Sequence, residues 1–144
     1  MRLLRRAGDD LLAGNTEVSG KWQRVLTGDQ LSAARASVED LLVQLGSVEA
    51  IAALVSRSQA TILYYKAPSK NISIVVAARL GHLMAVADAL ERHVELATWI
   101  HAPNPLLAGA PPTDLLVGEW RPTDAGPASV LHAARATRRD QPAA

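Results

Sequence analysis

Residues 99–120 read WIHAPNPLLAGAPPTDLLVGEW, a helix end followed by two proline-rich bends. Leu96, Trp99 and Ile100 recur at i, i+3 and i+4, the spacing of one helical face. Ala102-Pro103-Asn104-Pro105 then stops that helix, because proline lacks an amide proton and pushes its predecessor towards extended backbone. Leu106 and Leu107 follow inside the loop, where solvated turns rarely place such residues. Gly109 punctuates. Pro111-Pro112 suits the first turn of a short new helix over Thr113–Val117, closed by Gly118. This is a bent helical corner. It is either buried inside a small α domain or a stiff apolar surface for a partner, since a rigid loop loses little entropy on binding.

The chain around this stretch is helical in composition. Apolar residues make up 49% of its 144 residues but aromatics only 3%, with no Phe, so the core must be aliphatic. Leu and Ala are strong helix formers, and the expected fold class is all-α. The length allows one domain, or a small domain with a companion helical module. No cysteine is present, which excludes a disulfide framework and thiolate-held metals and fits a cytoplasmic location. No apolar run approaches the ~20 residues that span a bilayer, so no membrane partner is expected. The opening MRLLRRAGDDLLAG begins like a basic signal peptide, but Asp9 and Asp10 interrupt it. Residues 1–26 read instead as an arm that orders on a partner, with Trp22 and Val25 anchoring its end.

Thr27-Gly28-Asp29-Gln30 has the spacing of a capping box. The helix behind it carries Leu31, Ala34, Val38, Leu41, Leu42 and Leu45 on one face and Arg35, Glu39 and Asp40 on the other, and Gly46 ends it. Ser47 caps a second helix over Val48–Val55. Ser58 caps a third over Gln59–Lys66. Ala52, Ser58, Thr61, Ile62 and Tyr65 stand where Xre-type repressors carry a small residue, a cap, a polar residue, an apolar anchor and an aromatic. The arrangement resembles a helix-turn-helix. Ser56 replaces the glycine expected in its turn, and Arg57 the apolar residue after it; both favour a differently bent turn. If Gln59–Lys66 is a recognition helix, the DNA-facing residues are Arg57, Gln59, Thr61, Tyr64, Lys66 and Lys70, because Gln can read adenine and Lys can hold phosphate. No Asp or Glu occurs from Ala50 to Ala87, while Arg57, Lys66, Lys70 and Arg79 are cationic, a local field within a chain of net charge +1. The other reading is that the motif only packs or dimerises.

After the loop at Ala67–Asn71, a long helix is expected from Ile72 to about Leu90. Its stripe of Ile72, Val76, Leu80, Leu83, Ala87 and Leu90 is widened by Ile74, Val75 and Met84, enough for burial on two sides or for a dimer seam. Gly81 would allow close helix approach. Glu91-Arg92-His93 is a polar break. Beyond Trp120, Arg121–Pro127 is a loop, and Pro127 opens a last helix with Val130, Leu131 and Ala134, followed by Arg135, Arg138 and Arg139. Trp99 reads as core, and Trp120, in its Glu-Trp-Arg-Pro context, as the best candidate for an exposed anchor.

Catalytic signatures are lacking. The four histidines, His82, His93, His101 and His132, never stand at i, i+3 or i+4, and no cysteine joins them, so no metal site is expected. Nucleophile-elbow, zincin, P-loop and dinucleotide fingerprints are absent. Asp9-Asp10 and Glu39-Asp40 are sequence neighbours, about 100° apart on a helix, and do not form an acid–base pair. The expectation is a protein that is not an enzyme and carries no cofactor.

The order Trp99-Ile100, Pro103-Asn104, Leu107, Gly109, Pro112, Leu115-Leu116, then Gly126 and Val130, resembles the toxin-binding domain of Xre/MbcA/ParS-type antitoxins, over roughly Glu95–Ala134. The resemblance implies an antitoxin of a type II toxin–antitoxin pair. Its partner would be a RES-domain toxin that consumes NAD, and the antitoxin would occlude the toxin's active site. The implied toxin-facing residues are Trp99, Pro103, Asn104, Leu107, Gly109, Pro112, Leu115, Leu116 and Trp120, with Arg135, Arg138 and Arg139 on the last helix. It also implies a homodimer within a larger assembly, and repression of its own operon through operator DNA. On this reading the chain divides into the arm (1–26), a helix-turn-helix-like and dimerisation module (27–93) and a toxin-binding module (94–144). The competing expectations are a stand-alone helix-turn-helix regulator and a structural dimeric adaptor.

Overall fold

The computed structural model describes residues 26–66, 71–91 and 94–140, the last three without their side chains. The N-terminal arm with Trp22 and Val25, the loop through Lys70, the break at Arg92-His93, the C-terminal tail, and the side chains of Arg138 and Arg139 lie outside this description. The only regular elements among the described residues are helices, with no strand among them. In chain order they form α1 (Gly28–Leu45), α2 (Val48–Val55), α3 (Gln59–Lys66), α4 (Ile74–Leu90) and α5 (Leu96–His101). Two 3₁₀ turns follow, Pro105–Leu107 and Pro112–Leu115, and then α6 (Ala125–Asp140). None is long and apolar enough to cross a membrane.

The helix boundaries sit where short polar side chains can satisfy the first free amides. Thr27 and Gln30 close the full capping box, Gln30 N to Thr27 Oγ1 at 3.1 Å and Thr27 N to Gln30 Oε1 at 2.8 Å. Ser47 accepts from Ala50 N, Ser58 from Thr61 N and Ser73 from Val76 N, each at 3.1 Å. That last cap corrects one boundary. The long helix begins at Ile74 and not at Ile72, because Ser73 takes the extended cap conformation; Ile72 still reaches the core at 3% exposure. The second short helix is likewise a 3₁₀ turn over Pro112–Leu115 where a helix over 113–117 was expected.

α4 is the central element, packed against α1 on one side and α6 on the other. That double burial covers the regular stripe but not the residues that widen it, since Met84 is only half-buried. Val76, Leu80, Leu83, Val86, Ala87 and Leu90 are all buried, along with two polar residues, Arg79 and His82. Ile74 and Val75 stay partly open at its first turn. Gly81 does not bring two helices together; it is exposed, with open space around it. Gly126 makes the close approach instead. A Cβ there would lie 3.3 Å from Leu115 O, so its bare Cα lets the start of α6 press on the second 3₁₀ turn. The core is one continuous cluster from Ala34 to Ala134, mostly aliphatic with Tyr65, Trp99 and Trp120 in it, shared by α1–α4 and the elements from α5 onward.

Candidate partner-docking edge and its clamp

The segment from Pro103 to Gly118 is pinned from within. Asn104 is 7% exposed and acts as a staple. Its Oδ1 accepts from Leu106 N at 2.9 Å, its carbonyl from Leu107 N and Gly109 N at 2.9 Å each, and its own amide donates to Ala110 O at 3.1 Å. Ala108 (φ 59) and Gly109 (φ 87) then reverse the chain in the left-handed region. Leu107 drops into the core, and Leu106 beside it stands 52% exposed. Pro112 and Leu116 bury the second 3₁₀ turn, Leu115 is half-buried, and Val117 projects at 64% exposure before Gly118 turns at φ 65.

Apart from half-buried Leu115 and the undescribed side chains of Arg138 and Arg139, the residues expected to face a toxin fall into two groups. Trp99, Asn104, Leu107, Pro112, Leu116 and Trp120 are buried within this chain, while Pro103, Gly109 and Arg135 are exposed. Trp99 is core, as its helical spacing indicated. Trp120 is a correction. At 4% exposure it is no outward anchor, because its indole Nε1 donates to Leu54 O at 2.8 Å and its ring packs edge-on against His82, centroids 5.6 Å apart.

A clamp surrounds Trp120. Arg79, on α4, is 1% exposed. Its Nε donates to Trp120 O at 2.7 Å, one terminal nitrogen to Val55 O at 2.9 Å, and the other to Glu119 Oε1 at 3.0 Å. The guanidinium also lies 5.8 Å from the centre of the Trp120 ring, within cation–π range. The other Glu119 oxygen takes Arg57 at 2.8 Å, and Arg57 also donates to Ser56 O. These two arginines hold the Glu119 carboxyl below its ordinary range, Arg57 most strongly. His82 Nε2 stands 2.8 Å from Pro127 O, so that nitrogen carries the proton. Helix α2 thus ends with its Leu54 and Val55 carbonyls satisfied by side chains from far along the sequence. The clamp ties the end of α2, the middle of α4 and the start of α6 together.

Ser56 adopts the left-handed conformation (φ 58) that a glycine would take more cheaply, and Arg57 N bonds back to Ala52 O at 3.0 Å. The chain passes from α2 into α3 through this left-handed residue. On α3, Ile62 and Tyr65 face inward as expected. Gln59, Tyr64 and Lys66 are exposed together with Leu63, and Tyr64 edges onto Tyr65. Thr61 is half-buried, its hydroxyl 2.9 Å from Ser58 Oγ. The acid-free run of residues 50–87 is not a uniform basic face: Arg57 and Arg79 both turn onto Glu119. Arg79, His82 and Glu119 were missed by sequence reasoning. A cation on the stripe between Val76 and Leu83 was the one available signal for Arg79; Glu119 carried none.

Among the described residues no three His, Asp or Glu side chains gather as metal ligands. Compared with known proteins, the chain matches no family model, no curated protein and no solved structure.

Proposed function

We propose that this chain is the antitoxin of a type II pair. It would act in the cytoplasm and neutralise a RES-domain, NAD-consuming toxin by covering its active site with the segment from Pro103 to Gly118 and with α6. The observation that carries this reading is the build of that segment. Leu106 and Val117 are held out in solvent by a backbone whose neighbouring residues, Asn104, Leu107, Pro112, Leu116 and Trp120, are buried. Exposed apolar side chains on a pre-shaped backbone lose little ordering entropy on association. The buried members of the ordered motif would then shape the surface, and Pro103, Leu106, Gly109 and Val117 would meet the partner. Arg135 on α6 is exposed and available to an acidic rim.

A second role, contact with operator DNA, is favoured by the outward face of α3, where Gln59, Tyr64 and Lys66 are open to solvent. A stand-alone regulator would keep this face and lack the toxin. The deciding experiment is co-expression with the product of the neighbouring gene, followed by pull-down and an NAD-consumption assay. The expected result is co-purification, with NAD loss arrested by the wild-type chain and restored by Leu106→Asp or Val117→Asp. Absence of association and of NAD loss would remove the antitoxin reading. Full inhibition by both variants would move the docking surface elsewhere.

A further inference from the structure

Arg79 is a buried cation whose charge is met at the surface. Two of its three partners, Trp120 O and Val55 O, are neutral carbonyls. They satisfy donors and fix the guanidinium plane, but they do not cancel its charge. The Glu119 carboxylate does that, and it comes from the solvent side, with its side chain 71% exposed. Arg57 grips the same carboxylate from outside, its own side chain 27% exposed. Two guanidinium groups therefore converge on a single oxyanion, at 2.8 and 3.0 Å, one buried and one partly open to solvent. Each guanidinium gives one nitrogen to one carboxylate oxygen, and charge-assisted contacts of this kind serve phosphate oxygens as well as carboxylates. If Glu119 swings out on the Gly118 turn (φ 65), the two carbonyls still hold Arg79 in place, and a desolvated positive charge is left facing water.

We propose that Arg57 and Arg79 form an anion site for a phosphate group, and that Glu119 is its intramolecular occupant, exchanged for phosphate oxygens when such a ligand arrives. The ligand class is a phosphate monoester or diester. Its source is either a free phosphate compound or the backbone of a nucleic acid lying along α3, whose first residue is two positions after Arg57. The inference stands apart from the docking reading, because nothing in it depends on the Pro103–Gly118 segment meeting a partner.

The test titrates inorganic phosphate against wild type and Glu119→Gln at constant ionic strength, with chloride as compensating anion. Binding is followed by calorimetry and thermal unfolding. Emptying the site of its competing carboxylate is expected to tighten phosphate binding by about tenfold, the scale of one charge-assisted hydrogen bond that phosphate no longer has to displace. The Tm of Glu119→Gln should rise with phosphate, and adding Arg57→Ala should abolish both effects. Should Glu119→Gln fail to fold, Glu119→Asp, which keeps the charge but retracts it, is expected to show a smaller gain of the same sign. A parallel arm uses random-sequence duplex DNA. A gain for DNA together with phosphate identifies backbone phosphodiesters, and a gain for phosphate alone identifies free phosphate compounds. Phosphate stabilising the variants no more than chloride, with DNA affinity unchanged, overturns the proposal.

Discussion

Replacing Arg79 by Met tests the clamp directly. Methionine matches the Arg79 stem as far as Nε, so packing on that stem is kept, but the guanidinium and all three donors vanish. Trp120 O and Val55 O, both in buried residues, lose their partner. Each orphaned buried carbonyl costs about 1–3 kcal/mol, or roughly 2–6 kcal/mol together. Glu119 lies open to water, rehydrates, and adds nothing to this sum. One term opposes the loss: methionine removes the desolvation of a buried guanidinium, which is why apolar replacements of buried ion pairs are sometimes neutral. The net expectation is a loss of about 2–4 kcal/mol in a protein whose whole stability is on the order of 5–15 kcal/mol. Read as a melting temperature, that is a fall of roughly 8–16 °C. Urea unfolding followed by circular dichroism measures it, with tryptophan fluorescence reporting on the Trp120 surroundings. Arg79→Lys should recover only part of the loss, because one ammonium cannot reach three acceptors set out for a planar fork. A value for Arg79→Met within ~0.5 kcal/mol of wild type, the range of an ordinary surface change, would refute the claim that these hydrogen bonds fasten α2 and the Trp120 segment to α4.

Further outcomes follow from other positions. Asn104→Ala removes the side-chain cap on Leu106 N and should cost about 0.5–2 kcal/mol, with hydrogen exchange rising first at residues 105–110. Ser56→Gly relieves a left-handed backbone and should stabilise the fold by about 0.5–1 kcal/mol in the same urea assay; a loss would mean that the turn depends on the serine side chain. The pH dependence has a fixed sign. Glu119 has a folded-state pKa below its ordinary value of 4.5, so its contribution is complete above that pH and disappears as pH falls through the lowered value. The stability difference between wild type and Glu119→Gln should therefore be constant at neutral pH and shrink in acid; a difference that grows in acid would contradict the double ion pair.

The local architecture of the described residues is legible along the chain. Thr27, Ser47 and Ser58 mark helix starts and Gly46 marks an end. The stripe through Val76, Leu80, Leu83 and Leu90 faces the core, as does Trp99. These features are legible because cap and stripe alike are decided within one or two helical turns, by residues three or four apart. The start of the long helix was misread by two residues because an apolar Ile72 continues the stripe beyond the Ser73 cap. Which residues of the Trp99–Trp120 stretch are buried and which are offered to a partner was decided only by tertiary structure. Leu106 and Leu107 are neighbours of one type, yet the Asn104 staple sends one out and the other in. Trp120 is inward because Leu54 O, sixty-six residues earlier, needs a donor. Arg57 and Arg79 share one carboxylate because the turn after α2 and the middle of α4 both pack against the Glu119–Trp120 segment. Hydrophobic and capping signals repeat with helical period and can be read along the chain. A long-range hydrogen bond has no period, and its partners are chosen by how the packed helices bring distant backbone carbonyls and charges within about 3 Å of each other.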